Sequence, residues 1–164
     1  MAELFARARL QPSLLDRLTD YEPGSTSESR ERRVLSLPQL RTAVLRDLVW
    51  LLNTARQLPE ELDGFKEVEK SVLNYGVSSL TGRRASSLRA SDVEAMLISA
   101  IERYEPRILS RTLKVRVITE QAAGRPSTLV LEIQGSLWAQ PLPEALFLRT
   151  KVDLETGQFT LEQR

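Results

Sequence analysis

The chain of 164 residues contains neither cysteine nor histidine. Without cysteine it can form no disulfide and has no thiolate nucleophile, which fits a protein of a reducing compartment. Without histidine it lacks the commonest general base and the commonest metal ligand. Any catalysis would therefore depend on carboxylates, hydroxyls, lysine, arginine or tyrosine, and we expect neither a cofactor nor a bound metal.

The chain also lacks an excess of charge of either sign and lacks long hydrophobic runs. Its 23 basic and 22 acidic residues leave a formal net charge of +1, which argues against nucleic-acid binding driven by counterion release. The apolar run at residues 48–52 is far too short to span a membrane. Arg7, Arg9 and Asp16 interrupt the apolar core that a signal peptide requires. We therefore expect a cytoplasmic protein.

Residues 1–36 are expected to form an N-terminal arm and linker ahead of one domain, residues 37–164. Leu14, Leu15 and Leu18 lie on one side of a short amphipathic stretch, which a polar and charged segment follows. Such a helix docks on its own domain or on a partner, and the sequence leaves both open. Because the arm cannot bury enough apolar surface alone, we expect partners to order it.

Two helices are predicted in the domain. Ser36 and Gln39 fit a capping box at the start of the first helix, residues 37–56. Its apolar residues recur at spacings of three and four and include Leu40, Val44, Leu48 and Leu51. The second helix covers residues 91–104, and Ser91 with Glu94 fits another capping box. Between them, residues 74–76 (Asn-Tyr-Gly) form a helix stop in which the glycine can take a positive φ.

The C-terminal third of the chain alternates apolar and polar residues with a period of two. The alternation predicts four strands, at residues 112–119, 128–135, 145–153 and 158–163, with short turns between them. We therefore expect an α+β fold, an antiparallel four-stranded meander covered on one face by two main helices. Such a sheet has open edges on which a partner can add a strand, and residues 158–164 are a candidate edge.

The junction between the second helix and the first strand reads Glu105-Pro106-Arg107. Pro106 ends the helix, because proline disfavours helical backbone at the residue before it. Glu105 then faces the negative end of the helix dipole, at a cost of about 0.3–1 kcal/mol. Arg107 is the obvious compensating partner, and Glu102 and Arg103 could extend the pair into a network. If the pair is exposed in the isolated chain, it contributes only about 0–1 kcal/mol to folding.

The sequence also suggests two other functions, a glycosidase and a nucleic-acid binder. A glycosidase-type reading makes Glu105 a general acid, which requires a raised pKa and a second carboxylate across a cleft. A neighbouring arginine lowers a carboxyl pKa, and no second carboxylate stands out. A nucleic-acid-binding protein would use the basic clusters of the chain. Few aromatic residues that could stack on bases lie between these arginines, so the clusters are better interpreted as solvated loops. These clusters are Arg83, Arg84 and Arg89, and Arg30, Arg32 and Arg33.

Five stretches, in order along the chain, carry a family resemblance: PSLLDRL, SRERRVLSLPQLRTAVLRDLVWLLNT, SVLNYGVSSL, AIERYEPRIL and GSLWAQPLPEALFLRTKVDLETG. They resemble the TssE family, the small baseplate subunits of bacterial type VI secretion systems. That family is related to a phage baseplate wedge protein often labelled lysozyme-like. The Glu-Pro-Arg signature of the family is carried here by Glu105, Pro106 and Arg107.

The resemblance implies a structural, non-enzymatic role. Family members lie beside the TssF and TssG subunits in the baseplate wedge and can template the first ring of the contractile TssB–TssC sheath. It implies that Glu105, Pro106 and Arg107 bind wedge partners. It also implies a place in the bacterial cytoplasm, in the baseplate of the inner-membrane-docked secretion apparatus. The runner-up, motivated by the lysozyme-like label, is a peptidoglycan hydrolase that uses Glu105.

Overall fold

The computed structural model describes residues 12–19, 23–24, 35–56, 64–83, 88–118, 128–139 and 143–162. Its α-helices are α1 (Leu14–Leu18), α2 (Leu37–Asn53), α3 (Lys66–Glu69) and α4 (Ala90–Tyr104). Two 3₁₀ turns lie at Val72–Asn74 and Ser110–Thr112. The strands are β1 (Lys114–Ile118), β2 (Thr128–Leu137), β3 (Glu144–Asp153) and β4 (Phe159–Glu162).

The four strands form one antiparallel sheet in the order β1-β2-β3-β4. This is the predicted meander, and β4 is one of its two edges. The alternating pattern sets which face each side chain takes. On β3, for example, Leu146, Leu148 and Val152 are buried while Phe147 and Lys151 are exposed.

Helices α2 and α4 cover the apolar face of the sheet, which confirms the predicted α+β architecture. Helix α4 packs mainly on β1, and α2 packs on β4. The core between these layers is made of aliphatic side chains from both helices and from β1, β2 and β3, together with the ring of Phe159 from β4. Its fully buried members include Leu48, Leu51, Leu97, Ile101, Leu131 and Ile133.

One of the two predicted capping boxes forms and the other does not. At α2, the Ser36 hydroxyl accepts from the Gln39 N–H and the Gln39 side chain accepts from the Ser36 N–H. Helix α4 instead begins one residue early, with Arg89 at the cap position and no side-chain cap. The Glu94 carboxylate accepts from the Val117 N–H at 2.8 Å, because an outward N–H on edge strand β1 competes for it.

Gly76 fixes the return of the chain after the Val72–Asn74 turn. Its φ is +117°, and a Cβ here would collide with the carbonyl oxygen of Thr54. Only glycine adopts this backbone readily at such close approach. The close contact lets Val77 pair with the end of α2, through hydrogen bonds with Thr54 and Arg56. The predicted helix stop at residues 74–76 is therefore correct.

Candidate partner-binding site

The Glu-Pro-Arg signature lies where α4 passes to the sheet. Glu105 ends the helix with φ −126° and ψ 69°, and its N–H still donates to the Ile101 carbonyl at 2.8 Å. After Pro106 the chain runs alongside the end of β2, where the Arg107 carbonyl accepts from the Trp138 N–H at 2.7 Å. The backbone of the signature is therefore fixed on both sides of the proline.

Arg107 holds the Glu105 carboxylate at two points. Its Nε donates to Oε1 and its Nη2 to Oε2, each at 2.5 Å. Glu105 is only 3% exposed, whereas the Arg107 side chain is 22% exposed. The predicted pair therefore exists, but the structure buries its carboxylate within the chain itself. This removes the premise that the pair is solvent-exposed in the isolated subunit.

The same guanidinium binds a second carboxylate. Arg107 Nη2 donates to Asp47 Oδ2 at 2.5 Å, across 60 residues of sequence. Burial by itself acts to lower the pKa of Arg107, but the bonds to Glu105 and Asp47 raise it above its usual value. The arginine therefore stays charged and neutralises two acids at once.

The network continues from α2 to the arm. Asp47 also pairs with Arg46 at 2.8 Å, and Arg46 pairs with Asp16 of α1 at 2.6 Å. Burial acts to raise the pKa of Asp16, but the hydrogen bonds from Arg46 and Ser13 lower it below the usual aspartate range. The site is thus a chain of alternating charges that ends in the arm.

Sequence reasoning named the centre of this network and missed the rest of it. Arg103, expected to join, instead donates to the Glu69 carbonyl at 3.1 Å. Asp47 was missed, although a signal for it existed. It lies three residues after Val44 and four before Leu51, on the apolar face of α2. A carboxylate at such a position needs a buried cationic partner.

Aromatic and apolar side chains flank the ion pairs. The ring of Tyr75 meets that of Tyr104 edge-on, with centroids 5.1 Å apart. Burial raises the pKa of Tyr75, and the nearby charges of Asp47 and Glu105 raise it further. Next to Tyr75, the turn carries Val72 and Leu73, which are 78% and 73% exposed. Two adjacent, strongly exposed apolar side chains make this turn a candidate protein-binding surface.

The geometry does not suit glycoside hydrolysis. A second carboxylate exists, but the Arg107 guanidinium lies between Asp47 and Glu105 and bonds to both. Neither acid lines the cavity of about 70 Å³ beside Arg103 or the groove of about 450 Å³ between α2 and β4. The described residues also bring together no cluster of acidic side chains suited to a metal.

The basic clusters form no site of their own in the described part of the chain. Arg83 and Arg89 are exposed, as expected for solvated loops. Arg30, Arg32, Arg33 and Arg84 lie outside the described residues, as does the turn predicted at residues 122–127.

Comparison with known proteins gives one match. A family model described as "Baseplate wedge protein gp25" matches residues 38–142, more than half of the chain. The matched span contains Asp47, Glu105 and Arg107. No curated protein and no solved structure matched. Across the described ranges, no helix is long and apolar enough to cross a membrane.

Proposed function

The chain belongs to the baseplate wedge protein gp25 family, and from this premise we propose that it is a non-enzymatic wedge subunit of a bacterial type VI secretion baseplate. The choice of a secretion baseplate over a phage tail is supported by the TssE-like stretches of the sequence. Glu105, Pro106 and Arg107 are proposed to bind wedge partners, and the baseplate to which they belong lies in the cytoplasm at the inner-membrane-docked apparatus.

The observation that carries this proposal is the state of Arg107. It is bonded to two carboxylates and is partly exposed. Its third nitrogen, Nη1, has no hydrogen-bond partner among the described residues. A buried donor without an acceptor costs about 1–3 kcal/mol. This cost is internal to the chain, because Nη1 is out of reach of solvent. A partner would instead contact the exposed part of the Arg107 side chain, and the exposed Val72 and Leu73 of the turn before Tyr75 supply apolar contact area.

The proposed partners are TssF and TssG at this site and the TssB–TssC sheath at the sheet. The wedge family is structural, and the Arg107 guanidinium blocks the space that an acid–base pair would need. We propose that the chain has no enzymatic activity. Residues 37–164 are proposed to carry the wedge fold and residues 1–36 to serve as a separate arm.

Co-purification with TssF and TssG tests the wedge role. Leu73→Asp places a charge on an exposed apolar position that folding does not use, so we expect the fold to persist and the recovery of TssF–TssG to fall by about tenfold or more. Phe147→Asp is the matched control, because Phe147 is exposed on the opposite face of the sheet and should not affect this partner.

The signature itself is tested by two further changes. Arg107→Lys keeps the charge but cannot hold two carboxylates in a planar fork, so we expect weaker TssF–TssG binding. Pro106→Ala loosens the helix-to-strand junction and should weaken stability and binding modestly. If Leu73→Asp and Arg107→Lys both fold and bind TssF–TssG as well as the parent, the wedge partners do not bind at this surface.

A further inference from the structure

The outer edge of β4 is closed by a side chain from α2. Asn53, the last residue of that helix, accepts from the Phe159 N–H through Oδ1 at 2.9 Å. Its Nδ2 donates to the Phe159 carbonyl at 3.0 Å. The amide thus makes both hydrogen bonds that the N–H and carbonyl of one residue in a fifth strand would make at this position.

The next outward pair on this edge belongs to Leu161. In an antiparallel pair, residues alternate between bonding to the partner strand and facing away from it. The Asp153 N–H donates to the Gln158 carbonyl, so Phe159 and Leu161 face away from β3. Among the described residues, none bonds to the outward N–H and carbonyl of Leu161.

The opposite edge is closed in a different way. On β1 the Glu94 carboxylate accepts from the outward Val117 N–H, and α4 packs over this strand. Glu94 is partly buried, whereas Asn53 is exposed. Asn53 can therefore leave its position into solvent, and β4 is the edge that opens more easily.

A groove lies beside β4 where a fifth strand would put its side chains. Helix α2 meets β4 at Asn53 and diverges from it, leaving an open space of about 450 Å³. Its apolar lining includes Leu45, Val49 and Leu161. A strand added to β4 directs alternate side chains to this side of the sheet. The residue opposite Leu161 would therefore face the groove.

The other face of the sheet indicates which charge a fifth strand should carry at the position next to the groove-facing residue. One cross-strand row alternates in sign from edge to edge, and its members are Arg116, Glu132, Arg149 and Glu162. Glu162 ends the row on β4, is paired with Lys151 at 2.5 Å and remains 41% exposed. Opposite charges in directly facing positions stabilise a strand pair, so the next strand in the row should be basic.

We propose that Asn53 stands in for a fifth strand and that an extended partner segment displaces it from Phe159 and continues along Leu161. This segment carries an apolar residue that faces the α2–β4 groove and, next to it, a Lys or Arg opposite Glu162. The inference deepens the proposed assembly role, because it gives the chemistry of the strand that the sheet accepts.

The test is an NMR titration of the ¹⁵N-labelled chain with a synthetic seven-residue peptide that alternates Val and Lys. We expect shifts and slowed exchange at the amides of Phe159 and Leu161. A Val–Glu peptide should bind about threefold to tenfold more weakly, since it places like charges across the row.

Two variants should move the affinity in opposite directions. Leu161→Pro removes the outward N–H, which an edge strand tolerates, together with a side chain that packs against the core and lines the groove. It is therefore compared with Leu161→Ala, relative to which it should weaken peptide binding by about tenfold or more. Asn53→Ala removes the internal competitor and should tighten binding by roughly fivefold to tenfold. The spectrum of each free variant reports whether the sheet is intact.

The inference is overturned if the Val–Lys peptide leaves Phe159 and Leu161 unaffected, or if folded Leu161→Pro binds as well as Leu161→Ala. Tightening by Asn53→Ala is the expected result, and unchanged or weaker binding by a folded Asn53→Ala chain rejects the stand-in role. These outcomes are separate from the TssF–TssG co-purification, which uses another surface. The wedge role therefore stands or falls independently of this edge.

Discussion

Arg107 is the residue on which both ion pairs of the signature depend, one with its neighbour Glu105 and one with the distant Asp47. Its guanidinium neutralises the buried Glu105 and also Asp47. Removing one member of a buried ion pair leaves a charge without compensation, which costs more than the intact pair contributes. The network is therefore a structural brace within the chain, whatever partner binds its exposed side.

Replacing Arg107 by alanine should destabilise the isolated chain. The buried Glu105 carboxylate would then have no cation, and Asp47 would keep only Arg46, so we expect the free energy of unfolding to fall by about 3–5 kcal/mol. Urea unfolding followed by circular dichroism measures this. Arg111→Ala, at an exposed arginine, is the control and should stay within about 0.5 kcal/mol of the parent. Equal midpoints for the two variants would contradict the bracing role.

The chain should show no muramidase activity, because Glu105 is not placed to act as a general acid. Its carboxylate is held at both oxygens by Arg107 and is only 3% exposed, so it has neither a free oxygen nor the access to substrate that a general acid needs. A turbidity assay with purified peptidoglycan checks this, with an active lysozyme as the positive control. Clearing by the parent that Glu105→Gln abolishes would instead establish the hydrolase.

At the scale of elements, α1 is held by charge and not by apolar burial. None of its residues is buried, and Leu14 and Leu18 are 71% and 74% exposed. Its contact with α2 is the Asp16–Arg46 pair at 2.6 Å. The sequence left docking on the domain or on a partner open. The structure shows the contact with the domain, and the exposed leucines are available to a partner.

The docking of α1 should depend on pH. Burial acts to raise the folded-state pKa of Asp16, but the hydrogen bonds from Arg46 and Ser13 outweigh this effect and hold the pKa below the usual aspartate value of 3.8. The contribution of Asp16 to stability is therefore fully present above about pH 4 and is lost as the pH falls through the lowered pKa. Arg46 lies 5.1 Å from the Trp50 ring, which makes Trp50 fluorescence a local reporter. We expect a fluorescence change below pH 3.8 that precedes loss of the circular dichroism signal.

Asp16→Asn is the control for this titration. It should show the low-pH fluorescence already at pH 7 and fast exchange of the Leu14–Leu18 amides. Strong amide protection in this variant would mean that α1 is held by something other than the ion pair.

At the scale of the whole molecule, the described core lies between the sheet and the helices α2 and α4. Among the described arm residues, Leu35 packs against that core, whereas no residue of α1 is buried. Residues 1–36 are therefore expected to contribute little to stability, and the exposed leucines of α1 to add to the partner binding of the domain.

A chain that starts at residue 37 should fold. It loses a partly exposed ion pair, worth about 0–1 kcal/mol, and the α2 capping residue Ser36, worth about 0.5–2 kcal/mol. It also loses the packing of the partly buried Leu35 against the core. Restoring Ser36 by starting at residue 36 is the matched control. Thermal unfolding should place the longer form within a few degrees of the full chain, and co-purification should show weaker wedge binding. Failure of both forms to fold would make the arm part of the domain.

The sequence alone determined the layers of this protein. Its periodicities of two and of three to four are local properties, and each predicts an element and the face that it buries. The α2 capping box, the stop at Gly76 and the order of four strands follow from residues close together in the chain. The pairing of Glu105 with Arg107 was predictable for the same reason, because only Pro106 separates them.

The tertiary structure decided which distant polar groups meet. Asp47 reaches Arg107 across 60 residues, and Asn53 reaches Phe159 across 106. Glu94 has the right spacing for a capping box, but its carboxylate accepts from the Val117 N–H instead. The packing of α4 on β1 brings this N–H within hydrogen-bond distance of the carboxylate. A local pattern specifies which side chains are buried, but their hydrogen-bond partners are set by how the layers align. The burial of Glu105 and the closed edge of β4 could therefore be known only from the folded chain.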